Sequence, residues 1–302
     1  MRVLITGGAG FIGSHVAEHF QGKADVRILD NLRTGYEKNL KGLEVEFING
    51  SILDREVVNH AMAGVDYVFH LAAMISVPES MQQPKACVDM NVTGLLNVLE
   101  AAKTNKVRKL VFASSAAIYG NDPEVPKVET MRPQPQSPYA ITKLDGEYYC
   151  SMFTKEGWLN TAALRFFNVF GPRQDPNSAY AAAIPAFVQG AICGKPITIF
   201  GDGEQTRDFI YVKDIVSGLV FAVENDEVTG VFNCGYGAQM TVNDLAKRII
   251  KESGSTSTLS YAPVRAGDVK HSCASVEKLK TAGWKPVSNL DEGLAATVAY
   301  FS

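Results

Sequence analysis

The sequence predicts an α/β fold: a doubly wound parallel sheet in the first half of the chain, with a smaller α/β substrate-binding lobe added to it. Three observations carry this. Short β-branched runs alternate with helix-length stretches as far as Phe166, four glycines cluster behind the first of those runs, and the alternation breaks down after Gly171. The chain has 302 residues, with 29 Lys and Arg against 32 Asp and Glu, a net charge of −3 and 46% hydrophobic residues. This composition is that of a globular protein long enough to build its own core, and it excludes collagen-like, coiled-coil and disordered chains. The mild acidity excludes a general nucleic-acid binder but leaves small anionic ligands open.

Taken in order, Val3–Thr6 reads as a short strand that runs into glycines, and Phe11–Phe20 as a helix. Further strands are expected at Asp25–Leu29, Leu43–Ile48, Asp66–Phe69, Lys109–Ala113 and Thr161–Phe166, with long helices at Pro84–Thr104 and Pro138–Glu156. Strand–helix alternation of this kind implies right-handed crossovers and a sheet covered on both faces. After a loop-like stretch from Gly171 to Ala181, a helix is expected at Ile184–Cys193 and short strands at Ile197–Phe200 and Phe209–Val212. Val212, Ile215, Val216, Leu219, Val220 and Val223 then recur with helical spacing. Thr241, with Asp244 three residues later, marks a helix start, and Asp291–Phe301 reads as a last helix. The expected division is 1–167 with 211–235 as a nucleotide domain, and 168–210 with 236–302 as the lobe, packed as one body with a cleft.

No signal peptide or membrane span is read, so a cytoplasmic protein without membrane contact is expected. The five cysteines are scattered and odd in number, which argues against a disulfide framework or structural zinc; the five histidines form no ligand pair, and no metal is expected.

Gly8, Gly10 and Gly13 match G-x-G-x-x-G, and Gly7 offers the variant G-x-x-G-x-x-G with Gly10 and Gly13. Placed between a strand and a helix, this is the dinucleotide-binding turn of a Rossmann-type sheet, where backbone N–H groups meet a pyrophosphate. Asp30 ends the second strand, 17 residues past Gly13. A carboxylate there accepts from ribose hydroxyls and repels a 2′-phosphate, favouring NAD; nearby Arg33 points the other way, since it could receive that phosphate.

Tyr139 and Lys143 stand at i, i+4 in an expected helix, on one face and one turn apart. A neighbouring cation stabilises a phenolate, which would tune Tyr139 for proton transfer near neutral pH. The strand Lys109–Ala113 runs into Ser114 and Ser115, at the carboxyl edge where open α/β sheets bind ligands.

On Gly7, Gly10 and Gly13, Asp30-Asn31, Ala72-Ala73, Asn91-Val-Thr-Gly94, Ser115, Tyr139 and Lys143, the chain resembles the extended short-chain dehydrogenase/reductases. It is most similar to the nucleotide-sugar 4-epimerases of the UDP-glucose and UDP-N-acetylglucosamine type, over nearly its whole length. The resemblance implies NAD as cofactor, a UDP-sugar as substrate, a homodimer formed by the two long helices, and isomerase chemistry through a 4-keto sugar. Tyr139 is then the acid/base, Lys143 its tuning cation and holder of the nicotinamide ribose, and Ser115 the partner of the sugar 4-hydroxyl. Phe11, Ile12, Ser51, Ile52, Ala72, Ala73 and Asn91 join Asp30, Asn31 and the glycines around the cofactor. Asn168, Arg207, Arg265 and Asp268 fall to the UDP moiety, Arg207 and Arg265 as a diphosphate clamp, and Phe200 joins the substrate contacts.

Two features bear on the sugar. Sugar-nucleotide dehydratases carry an Asp-Glu pair where this chain has Ala116-Ala117. Epimerases restricted to UDP-glucose have a bulky Tyr where this chain has Ser272. With Asn168, Gln174 and Ala182, these small residues resemble the box around an N-acetyl group, which implies UDP-GlcNAc/UDP-GalNAc interconversion. The alternatives are a UDP-glucose/UDP-galactose 4-epimerase, another nucleotide-sugar epimerase or reductase, or a non-catalytic NAD-binding sensor. Ser51 and Ile75 depart from many relatives, which carry Asp and in some cases Lys there.

Overall fold

The structure, a computed structural model, describes residues 1–176, 183–264 and 269–302. The chain forms two compact units: Met1–Gly120, Arg132–Phe166 and Val216–Phe232 make the first, and Asn121–Met131, Phe167–Ile215 and Asn233–Ser302 the second.

The first unit is built on β1 (Arg2–Thr6), β2 (Asp25–Asp30), β3 (Glu46–Asn49), β4 (Tyr67–His70), β5 (Lys109–Ser115) and β6 (Asn160–Phe166). Their order across the sheet is β3-β2-β1-β4-β5-β6, with Gly230–Cys234 as a seventh strand beside β6. Every pair from β3 to β6 is parallel. Burial explains the apolar runs: β4 is buried at every position and β5 at all but its last, as a sheet covered on both faces requires. On one face Leu4, Leu29, Val68, Leu110 and Phe112 pack with Val58, Met62, Leu95, Leu99 and Phe153 from helices.

The differences from the sequence reading are local. The third strand is Glu46–Asn49, three residues later at its start than expected, and a 3₁₀ turn at Glu37–Leu40 precedes it. The helix expected at Pro84–Thr104 is divided into Pro84–Val88, a π-turn at Asp89–Thr93 and Gly94–Thr104. A further helix, Arg55–Met62, is capped by Asp54, whose carboxylate accepts from the Glu56 and Val57 N–H groups.

In the second unit Asn168–Phe170 pairs with Phe209–Tyr211 and Ile197–Phe200 with Leu259–Ala262, both parallel. Thr206–Arg207 pairs antiparallel with Met240–Thr241. Helices Ala183–Ile192, Val242–Glu252 and Leu290–Phe301 pack on one another. The segment Asn121–Met131 lies in this unit, whereas the sequence reading has it in the first. Its Lys127 N–H donates to the Cys273 carbonyl, and the Lys127 carbonyl accepts from the Ser275 N–H and from Asn233 Nδ2, each at 2.8 Å.

Cys87, Cys150, Cys234 and Cys273 are buried free thiols, and Cys193 is an exposed one. No helix among the described residues is long and apolar enough to cross a membrane.

The helix Pro138–Lys155 approaches β5 closely at Gly146, where an added Cβ would lie 2.5 Å from the Phe112 ring. Overpacking costs about 1–3 kcal/mol and recovered helix propensity returns about 1. Gly146→Ala is therefore expected to lower stability by about 1 kcal/mol in urea unfolding.

Candidate active site

The strand order reverses between β1 and β4, which opens a crevice at the carboxyl ends of these strands. The glycine turn sits there. Gly7 has φ +74, and a Cβ on it would lie 2.7 Å from the Ala72 nitrogen. A Cβ on Gly13 would lie 2.3 Å from the Gly7 carbonyl oxygen. Helix α1 (Phe11–Phe20) starts at Gly10 with no side-chain cap and no acid in its first turn. The N–H groups at its start therefore face an open position suited to a phosphate. Side-chain-free backbone at Gly7 and Gly13 is the cradle a dinucleotide needs, so these residues fit NAD.

The turn is held from outside by Asp30 and by two groups the sequence reading missed, Asn39 and Tyr36. The Ala9 N–H donates to Asp30 Oδ2 at 2.9 Å, and the Ala9 carbonyl accepts from Asn39 Nδ2 at 2.9 Å and the Tyr36 N–H at 3.0 Å. Asp30 also accepts from the Leu32 N–H at 2.8 Å. Burial pushes its carboxyl up, and these two N–H bonds pull it back. Asp30 thus secures the loop through two backbone N–H groups. Asn31 is exposed, and its side chain accepts from the Arg33 N–H. The Arg33 guanidinium is paired with Glu79, which answers its charge within the first unit.

Three residues assigned to the cofactor are engaged otherwise. Ile52 is 3% exposed and packs in the core against Gly94, so only its backbone is available. Asn91 brackets the Met74 peptide, accepting from its N–H at 2.7 Å and donating to its carbonyl at 3.0 Å, and it donates to Thr142 at 3.0 Å. That buried amide positions the loop after β4 and the Tyr139 helix. Ser51 Oγ accepts from the Leu53 N–H at 3.2 Å. Phe11, Ile12, Ala72 and Ala73 are half-buried beside the turn.

At the end of β5, Ser115 Oγ accepts from the Ala117 N–H at 3.2 Å, and its hydroxyl is near enough to Tyr139 to oppose the effect of burial on that phenol. Ser137 caps the Tyr139 helix through the Ala140 N–H, and the Tyr139 N–H donates to the buried Ser80 hydroxyl at 3.2 Å. Lys143 Nζ donates to the Ala113 carbonyl at 2.7 Å and lies 4.9 Å from the Phe112 ring centre and 5.8 Å from that of Tyr139. The structure therefore gathers Ser115, Tyr139 and Lys143. Burial pushes the Tyr139 hydroxyl up and the neighbouring Ser115 hydroxyl opposes this, while one Lys143 N–H is taken by the Ala113 carbonyl. Burial also pushes Lys143 down to about 8. His70, 2.8 Å from Thr6 Oγ1, is held down to about 3 by burial and then by Lys143, so it is neutral.

The second unit places Arg207 beside Ser272: the Ser272 N–H donates to the Thr206 carbonyl at 3.1 Å, and Arg207 Nη1 donates to the same carbonyl at 2.8 Å. Asn168 donates its Nδ2 and its N–H to the Asp208 carbonyl, at 2.9 and 3.1 Å. The Asp208 carboxylate, absent from the sequence reading, accepts from the N–H groups of Tyr236, Gly237 and Ala274 and so orders the segment after Ser272. Gln174 Nε2 donates to the Val169 carbonyl at 3.2 Å, while its buried Oε1 has no hydrogen-bond partner among the described residues. The Phe200 carbonyl accepts from Gln205 Nε2 at 2.7 Å. Ala182, Arg265 and Asp268 lie outside the described residues.

The sequence model of the NAD dependent epimerase/dehydratase family matches residues 3–235. The UDP-glucose 4-epimerase of Mycolicibacterium smegmatis is 35% identical over 309 residues, covering 100% of this chain and 98% of that protein. The solved UDP-N-acetylglucosamine 4-epimerase of Methanobrevibacter ruminantium, in complex with UDP-N-acetylmuramic acid, is 40% identical with a TM-score of 0.96, covering 99% of this chain and 97% of that one. The Thermus thermophilus UDP-glucose 4-epimerase, in complex with NAD, is 37% identical with a TM-score of 0.91, covering 100% of this chain and 99% of that one.

Gly13→Ala places a methyl group against the Gly7 carbonyl. The turn must shift to relieve this backbone contact, and if restoring the cradle for the cofactor costs more than about 1.4 kcal/mol, binding weakens at least tenfold. The purified variant is expected to retain less than about a tenth of the wild-type NAD, assayed in acid extracts.

Proposed function

The chain belongs to the NAD dependent epimerase/dehydratase family, and from that membership we propose that it inverts UDP-hexoses at C4, interconverting UDP-GlcNAc and UDP-GalNAc. The observation that carries the reaction is the meeting of Ser115, Tyr139 and Lys143 at the end of β5.

In this reading Tyr139, ionised, accepts the proton of the sugar 4-hydroxyl, and Ser115 hydrogen-bonds the same oxygen. The glycine turn would hold NAD, which when bound would supply the hydride-accepting and hydride-donating chemistry at C4. Tyr139 then returns the proton. Burial opposes a phenolate here, so Lys143 must keep its positive charge for Tyr139 to ionise. Arg207 holds the diphosphate with its planar fork, leaving the oxidised sugar free to turn over.

The acetamido preference rests on Gln174, whose buried Oε1 is an open acceptor for an amide N–H. Ser272 leaves room that a tyrosine would fill, and Ala116-Ala117 lack the acids a dehydratase uses. UDP-glucose and UDP-galactose are the second reading, favoured by the relatives that carry the UDP-glucose name. We also propose a homodimer formed through helices Pro84–Val88, Gly94–Thr104 and Pro138–Lys155. Val88, Ile141, Tyr148 and Met152 are exposed on these helices, and a second copy would cover them. The free thiols suit the reducing cytoplasm.

Incubation with UDP-GlcNAc and with UDP-glucose separately, with products identified by NMR, is the direct test. Tyr139→Phe is expected to reduce turnover at least about a thousandfold, the range of a lost general acid–base; retained epimerisation rejects the assignment. Ser272→Tyr is expected to cut UDP-GlcNAc turnover at least about tenfold and spare UDP-glucose, through the steric cost of a filled pocket.

A further inference from the structure

A buried ion pair that the proposed chemistry does not use lies beneath the reacting side chains. The side chains of Arg165 and Glu147 are 4% and 3% exposed. Arg165 Nε and Nη2 donate to Glu147 Oε1 and Oε2, both at 2.8 Å, and its Nη1 donates to the Tyr119 hydroxyl at 2.8 Å. Ser114 Oγ donates to Glu147 Oε1 at 2.5 Å. Burial alone would depress the Arg165 guanidinium, and the Glu147 hydrogen bond and charge outweigh it.

An apolar pair of similar volume would hold these elements together at least as well, because burying two charges is costly. What the ion pair adds is direction, since a guanidinium fork on a carboxylate admits one geometry. The elements so fixed are those that carry the site. Ser114 is followed by Ser115 and preceded by Ala113, whose carbonyl holds Lys143. Glu147 lies one helical turn past Lys143 and two past Tyr139. Arg165 stands on β6, paired in register with Ser114.

We propose that Glu147 and Arg165 are positioning residues for the reaction, locking the strand end that bears Ser115 to the helix that bears Tyr139 and Lys143. The inference rests on the reading of those three as the reacting groups. Its electrostatic consequence follows from what faces Lys143. Cys87, from the helix Pro84–Val88, and Cys150, from its own helix, face it as protonated thiols, and the Glu147 carboxylate, also on that helix, pushes its ammonium back up against burial. His70 on β4 is neutral, and Tyr139 stands one turn away. Of these groups Glu147 is the carboxylate, and Arg165 balances it. Removing the Glu147 charge therefore lowers the Lys143 pKa, and removing the Arg165 charge raises it. A merely structural pair would destabilise the fold in both variants and produce no such opposition.

The test is a titration of Lys143 in the NAD-loaded protein without sugar nucleotide, by NMR of labelled lysine side chains assigned with Lys143→Met. Thermal midpoints are recorded alongside. Glu147→Gln is expected to move the titration down by about half a pH unit or more, and Arg165→Met to move it up by a similar amount. Ser114→Ala removes one hydrogen bond with little change in packing, and is expected to lower kcat about tenfold with KM within about twofold. Lys143 titrations unmoved in both charge variants, or moved in the same direction, overturn the proposal. Should either charge variant fail to fold, Ser114→Ala decides, and an unchanged kcat overturns it. Wild-type protein that turns over no UDP-sugar refutes the proposed function instead, and the substrate-free titration separates the two failures.

Discussion

A lysine ammonium must be kept in a place that water scarcely reaches, and much of the first unit is arranged around that constraint. Lys143 is 4% exposed, so its charge has lost nearly all its hydration. The Ala113 carbonyl at 2.7 Å and the Phe112 ring face at 4.9 Å replace some of it. Neighbouring His70 bonds Thr6 and stays neutral, so it adds no charge of its own beside the ammonium. The carbonyl that holds Lys143 belongs to the strand that ends in Ser115, so the solvation of the charge and the placement of the hydroxyl are one piece of backbone.

The other side of the crevice is governed by backbone geometry. Gly7 and Gly13 bring chain against chain at distances no side chain allows. The Ala9 peptide is then gripped at both ends, by Asp30 on one side and by Asn39 and Tyr36 on the other. A carboxylate at the end of β2 therefore has work to do before any ribose arrives. The turn is closed by its own Gly10 N–H to Gly7 carbonyl bond and fastened from outside by β2 and the loop that follows it.

How much of this was legible depended on whether the signal was local. The strands, the glycine turn and the pair Tyr139/Lys143 announce themselves through period, punctuation and spacing. The glycine turn carries its own steric logic, and it lies where the motif places it, between β1 and α1. Gly230–Cys234 was not read, because a five-residue run between turns has no period long enough to register. The network of Ser114, Tyr119, Glu147 and Arg165 was invisible for a different reason. Its members come from strand, turn, helix and strand, and only the pairing of β5 with β6 brings them together. Asn91 could be named but not understood. The motif names it as a cofactor neighbour, and only the π-turn shows that its amide is aimed at Met74 and Thr142.

The cysteines, given no part in the chemistry, have a practical consequence. Burial pushes the thiols of Cys87, Cys150, Cys234 and Cys273 up, the last to about 11, which leaves them protonated and shielded. Cys193, at the end of helix Ala183–Ile192, is the exposed one. Toward maleimides and other alkylating reagents the folded protein thus behaves as though it had a single thiol. One fluorophore or surface tether can be attached to the second unit without mutating the chain, leaving Ser115, Tyr139 and Lys143 in the other unit untouched.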